Sequence, residues 1–380
     1  MDDSPAFTVD GCDLDDFAAI VELGTDASAY PLARTVIEGV VIYGRDAVAD
    51  RCALRAEVTR ALVDGPGIVV LEGAVGVDAV DQVSAAFWRM IEDQHARGEL
   101  IGDHYAKPGA NDRVWNTIEK LAVDAPEAFA SYYASDAIAL AAEAWLGPAY
   151  QVSSQVNVVN PGGEAQQPHR DYHLGFMTDA VASRYPRHAH LLSPALTLQG
   201  AVAHCDMPVE SGPTTFLPHS HKYDRGYLAW RRPEFIDYFE TNHVQLPLAK
   251  GDAVFFSPAL FHAAGHNRSA DIKRMANLLQ ISSPFGRAME TIDRTRMVKA
   301  LYPALLDMKA RGADERALSN AVAAAAEGYA FPTNLDHDQP VDGLAPPSQA
   351  DLVRQALFGE WSAEKLWEAL DAQNRRRLSV

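Results

Sequence analysis

The residues of this chain whose types and spacing best suit chemistry are two histidines and one aspartate. His169 and Asp171 are two positions apart, and His262 follows much later in the chain. Residues two positions apart on a strand project from the same face, so this pair can bring one imidazole and one carboxylate to a single metal ion. Two imidazoles and one carboxylate leave adjacent octahedral positions open, which is typical of non-haem Fe(II). The spacing therefore predicts a mononuclear iron site.

The His-x-Asp pair alone is a weak signal. The chain contains 13 histidines, and such pairs also occur as helix caps and surface hydrogen-bonding groups. His219, His221 and His266 compete for the third ligand position, although each lies in a predicted turn. An ordered series of further motifs favours His262. The series is Asn160-Pro161-Gly162-Gly163, Gln166-x-x-His169-x-Asp171, the segment from Glu210 to Lys222, Gly251-Asp252, and His262-x-x-Gly265-x-Asn267-x-Ser269.

This ordered series resembles the phytanoyl-CoA dioxygenase family of Fe(II)/2-oxoglutarate oxygenases, which includes bacterial hydroxylases of small metabolites. The resemblance covers roughly residues 65 to 285. It implies a double-stranded β-helix, or jelly roll, with His169, Asp171 and His262 as iron ligands. The cofactors it implies are Fe(II), 2-oxoglutarate as cosubstrate, and O₂. The reaction it implies is hydroxylation of an unactivated C–H bond of a small-molecule metabolite, which yields succinate and CO₂.

The resemblance also implies residues that bind 2-oxoglutarate. Family members carry a basic residue about eleven positions after the distal histidine, and here Lys273 and Arg274 stand eleven and twelve positions after His262. We favour Arg274, because a planar guanidinium matches a carboxylate in a fork that lysine cannot make. Arg268 is a weaker candidate. Asn157 matches a family position that contacts 2-oxoglutarate, although an inward amide could equally be satisfied by the backbone. Weaker candidates for the same contact are Gln155 and Gln199.

The elements that must position these residues change character along the chain. Residues 1–64 show helical periodicity and predict a helical N-terminal extension. Residues 65–285 carry the predicted oxygenase domain, and residues 286–380 predict a helical C-terminal extension packed on the core. Short strands without alternating helices favour an antiparallel sandwich or jelly roll, so the predicted fold is a mainly β core with helical additions, α+β overall. The strand candidates that bear on the site are Tyr150–Val159, His169–Leu174, Ala195–His204, Thr214–Leu217, Asp252–Phe256 and Arg274–Ile281, with His262 in a turn.

Composition restricts the class of partner. The formal net charge is −18, from 33 basic and 51 acidic residues. This charge disfavours nucleic acid and membrane surfaces, so a small-molecule substrate is expected. Three widely spaced cysteines, an odd number, form a poor disulfide framework. No apolar stretch reaches transmembrane length and the N-terminal residues do not resemble a signal peptide, so a cytoplasmic location is expected.

Two alternative functions stay open at this point. One is a cupin-type metalloenzyme, a dioxygenase or isomerase that does not use 2-oxoglutarate. The other is a non-catalytic family member that acts as a binding protein. The substrate and the oligomeric state are not determined by the sequence. Substrate contacts are expected from loops, including residues 175–195 and the side chains Tyr105, Lys107, Arg113 and Trp115.

Overall fold

A computed structural model describes residues 6–99 and 110–379 of the chain. The strands are β1 Thr35–Ile37, β2 Val40–Tyr43, β3 Ile68–Leu71, β4 Asn111–Val114, β5 Gln151–Val159, β6 Thr197–Ala203, β7 Thr215–Leu217, β8 Val244–Gln245, β9 Ala253–Phe256, β10 Phe261–Ala263 and β11 Arg274–Ser282. The α-helices are α1 Leu14–Val21, α2 Arg51–Val63, α3 Val77–Ala96, α4 Thr117–Asp124, α5 Pro126–Tyr133, α6 Asp136–Leu146, α7 Asp179–Ala182, α8 Arg187–Ala195, α9 Gly226–Ala229, α10 Pro233–Asn242, α11 Arg294–Ala310, α12 Glu315–Ala325, α13 Gln349–Phe358 and α14 Ala363–Arg377.

The strands form two sheets. The larger has eight strands in the order β1-β2-β3-β9-β6-β11-β5-β4, and the smaller has three in the order β10-β7-β8. Neighbouring strands are antiparallel except β2 and β3, which are parallel. Apolar residues of both sheets share one cluster, in which Phe216 of the smaller sheet packs with Val254 and Phe256 of the larger. The core is thus a double-stranded β-helix, as predicted.

The two faces of the larger sheet contact different parts of the protein. Along β5 and β11, every second side chain points to the helical layer, where Val156, Val158 and Leu279 join the main hydrophobic cluster. The residues between them, such as Asn157 and Gln280, line an interior cavity. This alternation follows from the two-residue period of a strand. Polar residues therefore enter the barrel without disturbing the helix-covered face.

The helices cover the outer face of the larger sheet. Leu301 of α11 and Leu366 of α14 lie in the same hydrophobic cluster as Val152 and Leu279 of the sheet, and all four are fully or almost fully buried. The C-terminal helices thus share their core with the barrel. None of the helices within residues 6–99 and 110–379 is long and apolar enough to cross a membrane.

The expectation that residues 1–64 are helical is wrong at 35–43. There β1 and β2 form a hairpin-like antiparallel pair, and β2 extends the larger sheet by pairing with β3. The four residues of β2 are all buried. They are Val, Val, Ile and Tyr, residue types that fit a pleated, buried surface better than a helix. The division of the chain at residues 64 and 285 stays a prediction.

Two strand assignments near the metal ligands also differ from expectation. The segment predicted as the strand His169–Leu174 makes only one bridge, from His169 to His262, before it leaves the sheet. Tyr172 has a φ of +32°, which an extended strand does not allow. His262, expected in a turn, is instead the central residue of β10 and pairs with Phe216 of β7.

Candidate metal centre

The structure brings the three predicted ligands together. Nε2 of His169 lies 3.9 Å from Oδ1 of Asp171, and Nε2 of His262 lies 3.5 Å from Oδ2 of the same carboxylate. Ligand atoms of all three residues lie within 4.8 Å of one another. The backbones of the two histidines are hydrogen-bonded to each other, with N···O distances of 2.9 and 3.2 Å. One metal ion can therefore contact all three side chains.

Backbone carbonyl groups orient both imidazoles. Nδ1 of His169 lies 2.9 Å from the carbonyl oxygen of Gln167, and Nδ1 of His262 lies 2.9 Å from that of Leu260. A carbonyl oxygen only accepts hydrogen bonds, so each Nδ1 carries a proton, and each Nε2 is the nitrogen that a metal ion can take. This arrangement is usual for histidines that bind metal through Nε2. The donor set therefore fits a divalent metal ion such as Fe(II).

The carboxylate of Asp171 is held by an amide. Nε2 of Gln199 donates a hydrogen bond of 2.6 Å to Oδ2 of Asp171. Burial raises the pKa of this carboxyl group, but the imidazoles of His169 and His262 and the Gln199 amide outweigh burial, and the net pKa is well below its ordinary value. Asp171 is thus ionised and oriented as a metal ligand needs to be.

Two residues that sequence reasoning missed anchor the segment between the ligands. Arg170 is 2% exposed and donates to the carbonyl oxygens of Ser220 and Tyr223, at 2.5 and 3.0 Å. The phenol of Tyr227 donates to the carbonyl oxygen of Asp171 at 3.0 Å. Both interactions join residues about fifty positions apart in the chain, so no local pattern signals them. They fix the backbone that presents Asp171.

Arg274 lines the same cavity as His169, Asp171 and His262. It is 7% exposed, and burial lowers its pKa to about 10. Its Nη1 donates to the carbonyl oxygen of Gly212. Gly212 has a φ of +72°, and a Cβ there would lie 2.4 Å from the carbonyl carbon of His266. Glycine is therefore needed for the turn that contacts the guanidinium.

The two competing basic residues lie elsewhere. The Nζ atom of Lys273 is 5.7 Å from the ring centroid of Trp88 in α3, on the helix side of the sheet. Arg268 is exposed, on the loop between β10 and β11. Of the three candidates only Arg274 lines the cavity, which is what the alternation along β11 requires.

Asn157 also lines the cavity, opposite Ala276 in the register of β5 and β11. Its Oδ1 accepts a hydrogen bond of 3.2 Å from Nδ2 of Asn111. The oxygen of the amide is thereby committed, and the NH₂ group is the part left to donate. Asn157 can therefore donate a hydrogen bond to an anionic ligand.

The cavity has a volume of about 420 Å³, within the range of small-molecule sites. Arg113 and Trp115, expected from the sequence to contact substrate, line it. Nη2 of Arg113 donates to Oε1 of Gln155 at 2.7 Å, and its Cζ lies 4.6 Å from the centroid of the Trp115 ring. Tyr105 and Lys107, named for the same role, lie outside the described residues.

The chain belongs to the phytanoyl-CoA dioxygenase family, as the sequence predicts. Residues 63–275 match the family described as phytanoyl-CoA dioxygenase (PhyH). The chain is 32% identical to dioxygenase cdmD of Talaromyces verruculosus over 116 residues. This match covers 30% of this chain and 34% of that protein. The chain is 28% identical to dioxygenase trt7 of Aspergillus terreus (strain NIH 2624 / FGSC A1156) over 133 residues. This match covers 35% of this chain and 41% of that protein. The chain thus spans less than half the length of these relatives.

Solved structures of low identity are similar as well. One is the non-heme alpha ketoglutarate dependent epimerase SnoN from nogalamycin biosynthesis, with 23% identity and a TM-score of 0.42 over 61% of this chain and 84% of that chain. Another is AviO1 from Streptomyces viridochromogenes Tue57, with 19% identity and a TM-score of 0.44 over 63% and 98%.

Proposed function

We propose that this protein is an Fe(II)/2-oxoglutarate-dependent dioxygenase that hydroxylates an unactivated C–H bond of a small molecule. The observation that carries the proposal is the position of Arg274. Within the described residues, no carboxylate lies within salt-bridge distance of this buried guanidinium. A buried cation without a counter-charge is costly, so an anionic ligand is its natural partner.

2-Oxoglutarate matches this site in charge and in chemistry. Its far carboxylate would pair with Arg274, and the NH₂ group of Asn157 can donate to the same molecule. His169, Asp171 and His262 would hold Fe(II). When bound together, Fe(II), 2-oxoglutarate and O₂ supply an oxidative decarboxylation in which one oxygen atom enters succinate and the other enters the substrate as a hydroxyl group, with release of CO₂.

The protein's own residues supply orientation and restrict water. The carbonyl groups of Gln167 and Leu260 keep both Nε2 atoms directed at the metal position. Gln199 occupies Oδ2 of Asp171, which leaves Oδ1 as the oxygen that a metal can take. The net charge of −18 supports a small molecule, rather than nucleic acid or a membrane surface, as the partner.

The proposal is tested by succinate formation. Purified protein is loaded with Fe(II) under nitrogen, and succinate is measured after O₂ and 2-oxoglutarate are added. In Arg274→Leu the KM for 2-oxoglutarate should rise about 100-fold, since truncating one partner of a buried charge pair costs about 2–5 kcal/mol. Arg274→Lys should recover only part of the loss, because lysine cannot form the bidentate fork.

Lys273→Leu is the matched control, since this neighbouring cation lies outside the cavity. It should leave the KM for 2-oxoglutarate unchanged. If neither the wild type nor any variant forms succinate, the proposal is overturned in favour of a cupin-type enzyme or a binding protein. A higher KM for 2-oxoglutarate in Lys273→Leu but not in Arg274→Leu would show that Lys273, and not Arg274, binds the carboxylate.

A further inference from the structure

We propose that Gln199 and Gln280 form a subsite that binds a hydroxyl group of the substrate, and that the substrate is otherwise largely apolar. The inference rests on the proposed function, because it concerns the molecule that this cavity holds beside 2-oxoglutarate. It assigns Gln280 as a residue that determines specificity, a role that its sequence position does not reveal.

The two glutamines are direct neighbours on the cavity wall. Gln199 of β6 and Gln280 of β11 are partners in the register of these antiparallel strands. Both line the cavity, and they are 4% and 8% exposed. Side chains directly opposite each other on one face lie close enough to contact the same small group. A ligand in the cavity can therefore meet both amides at once.

The hydrogen bonds of these amides are incomplete. Nε2 of Gln199 donates to Asp171, but Oε1 of Gln199 and Oε1 of Gln280 are buried without a hydrogen-bond partner. Buried polar atoms without partners are uncommon, and a partner supplied by a ligand would explain these two. Gln155, the third glutamine on this wall, provides a contrast. Its Oε1 accepts from Arg113 and its Nε2 lies 3.3 Å from Sδ of Met289.

A hydroxyl group suits this pair of amides better than other groups do. The NH₂ group of Gln199 already donates to Asp171, so its amide oxygen is the atom that can accept a hydrogen bond from a ligand. The amide of Gln280 can present either its oxygen or its NH₂ group after rotation about its last side-chain bond. A hydroxyl donates one hydrogen bond and accepts others, so it can satisfy both amides. A carboxylate would only accept, and would face the oxygen of Gln199.

The carboxylate of 2-oxoglutarate that Arg274 would hold lies far from Gln280. Arg274 begins β11, and Gln280 is six residues further along the same strand. At about 3.3 Å per residue, their Cα atoms are about 20 Å apart. The five-carbon chain of 2-oxoglutarate is only about 5 Å long, because its four bonds span little more than the three backbone bonds of one extended residue, about 3.3–3.6 Å. Gln280 therefore faces the part of the cavity left for the substrate, and Gln199 lies between Gln280 and the metal ligand Asp171.

Apart from Arg113 and Gln155, which are hydrogen-bonded to each other, the wall of this part of the cavity is largely apolar. Leu278, Phe176 and Met289 line it, and the last two are 59% and 39% exposed, as expected of side chains at an opening. The phenol ring of Tyr172 lies beside them, with ring centroids 5.2 Å apart for Tyr172 and Phe176. Such a wall binds the hydrocarbon body of a ligand, and the glutamine pair then fixes its orientation.

The test compares ring compounds in which a hydroxyl group replaces a methyl group of similar size. Suitable pairs are 2-naphthol with 2-methylnaphthalene, and 5-indanol with 5-methylindane. Binding is measured by calorimetry on Fe(II)-loaded protein with 2-oxoglutarate under nitrogen. In at least one pair, the wild type should bind the hydroxyl compound about 10-fold more tightly. Gln280→Leu should reduce this preference to less than about twofold.

Gln373→Leu is the matched control. Gln373 is also buried and its Oε1 also lacks a hydrogen-bond partner, but it lies on α14, far from the cavity lining. This variant should keep the wild-type preference. Gln280→Met, which better preserves side-chain shape, serves as a second variant if the leucine protein does not fold, as judged by circular dichroism.

Two results would overturn the inference. One is that the wild type shows no preference for the hydroxyl compound in any pair. The other is that the preference persists in the Gln280 variants. Neither depends on turnover, because no O₂ is present. Succinate formation is measured separately, so failure of the glutamine subsite and failure of the proposed oxygenase activity give different results.

Discussion

The side-chain amide of Asn267 donates a hydrogen bond of 2.9 Å to the carbonyl oxygen of Val159, and thereby ties the loop after β10 to the end of β5. The same amide donates to the carbonyl oxygen of Ile272 at 2.8 Å, and its oxygen accepts from the backbone and hydroxyl groups of Ser269. Asn267 is fully buried. One side chain therefore holds the loop that joins His262 to Arg274.

Asn267→Ala should lower the free energy of unfolding by about 3 kcal/mol, because it leaves several buried backbone groups without partners. Urea unfolding followed by circular dichroism measures the change. Asn242→Ala is the control, since Asn242 is exposed and bonds only to Tyr238 on its own helix; its effect should stay within about 0.5 kcal/mol. Equal effects of the two substitutions would contradict a structural role for Asn267.

The Asn267-x-Ser269 motif, one of the series by which the chain resembles the family, thus acts as a scaffold. Its partner is the other turn motif, since the backbone N–H of Gly162 donates to the carbonyl oxygen of Asn267 at 2.8 Å. Sequence order alone cannot show that these two turns touch. The clustering of His169, Asp171 and His262 was predictable because a His-x-Asp pair and a distal histidine suit a metal site by their residue types.

Local patterns predicted some elements well and others poorly. The limits of β5 and β11 follow from alternating polar and apolar residues, which is a local property. The segment from His169 to Leu174 was mistaken for a strand because its conformation depends on Arg170, whose partners Ser220 and Tyr223 lie far away in the chain. For β2 the signal was present, since Val40–Tyr43 is a β-branched and aromatic run, but the helical periodicity around it obscured it.

Fe(II) should stabilise the protein through the His169, Asp171 and His262 site. At a free metal concentration 100 times Kd, binding to the folded state alone adds about 2.7 kcal/mol to the free energy of unfolding. His262→Ala should abolish this gain, as measured by urea unfolding under nitrogen with and without Fe(II). His243→Ala is the control, because Nδ1 of His243 bonds to Phe239 on α10, away from the site. A gain that survives in His262→Ala would exclude this ligand set.

Tyr227→Phe should weaken Fe(II) binding about 10-fold, since partners of metal ligands typically contribute 10- to 100-fold to metal affinity. The substitution removes the hydrogen bonds from the phenol to the carbonyl oxygens of Asp171 and Tyr172, at 3.0 and 2.5 Å. Anaerobic titration with Fe(II) measures the affinity. Tyr302→Phe is matched to it, because Tyr302 is also buried and donates to a backbone carbonyl, that of Trp361. Both variants should lose some stability, but only Tyr227→Phe should lose metal affinity.

His204 should make the protein less stable in acid. It lies between the larger sheet and the helices, with Nδ1 2.8 Å from Oγ of Ser84 and Nε2 3.0 Å from the hydroxyl of Tyr132. Burial lowers its pKa to about 3. The unfolded chain, with a histidine pKa near 6.5, therefore binds a proton that the folded chain excludes, so stability is complete above pH 6.5 and falls as the pH drops toward 3.

Between pH 7.5 and 5.0, His204 alone should account for a loss of about 2 kcal/mol in the free energy of unfolding. His204→Gln, which keeps a polar side chain that cannot be protonated in this range, should remove that part of the loss. His219 and His221, whose pKa values burial lowers to about 4 and about 3, should leave a residual decline. Urea unfolding at the two pH values measures the difference. His337→Gln, at an exposed position, should decline like the wild type. The same decline in His204→Gln would show that the acid sensitivity originates elsewhere.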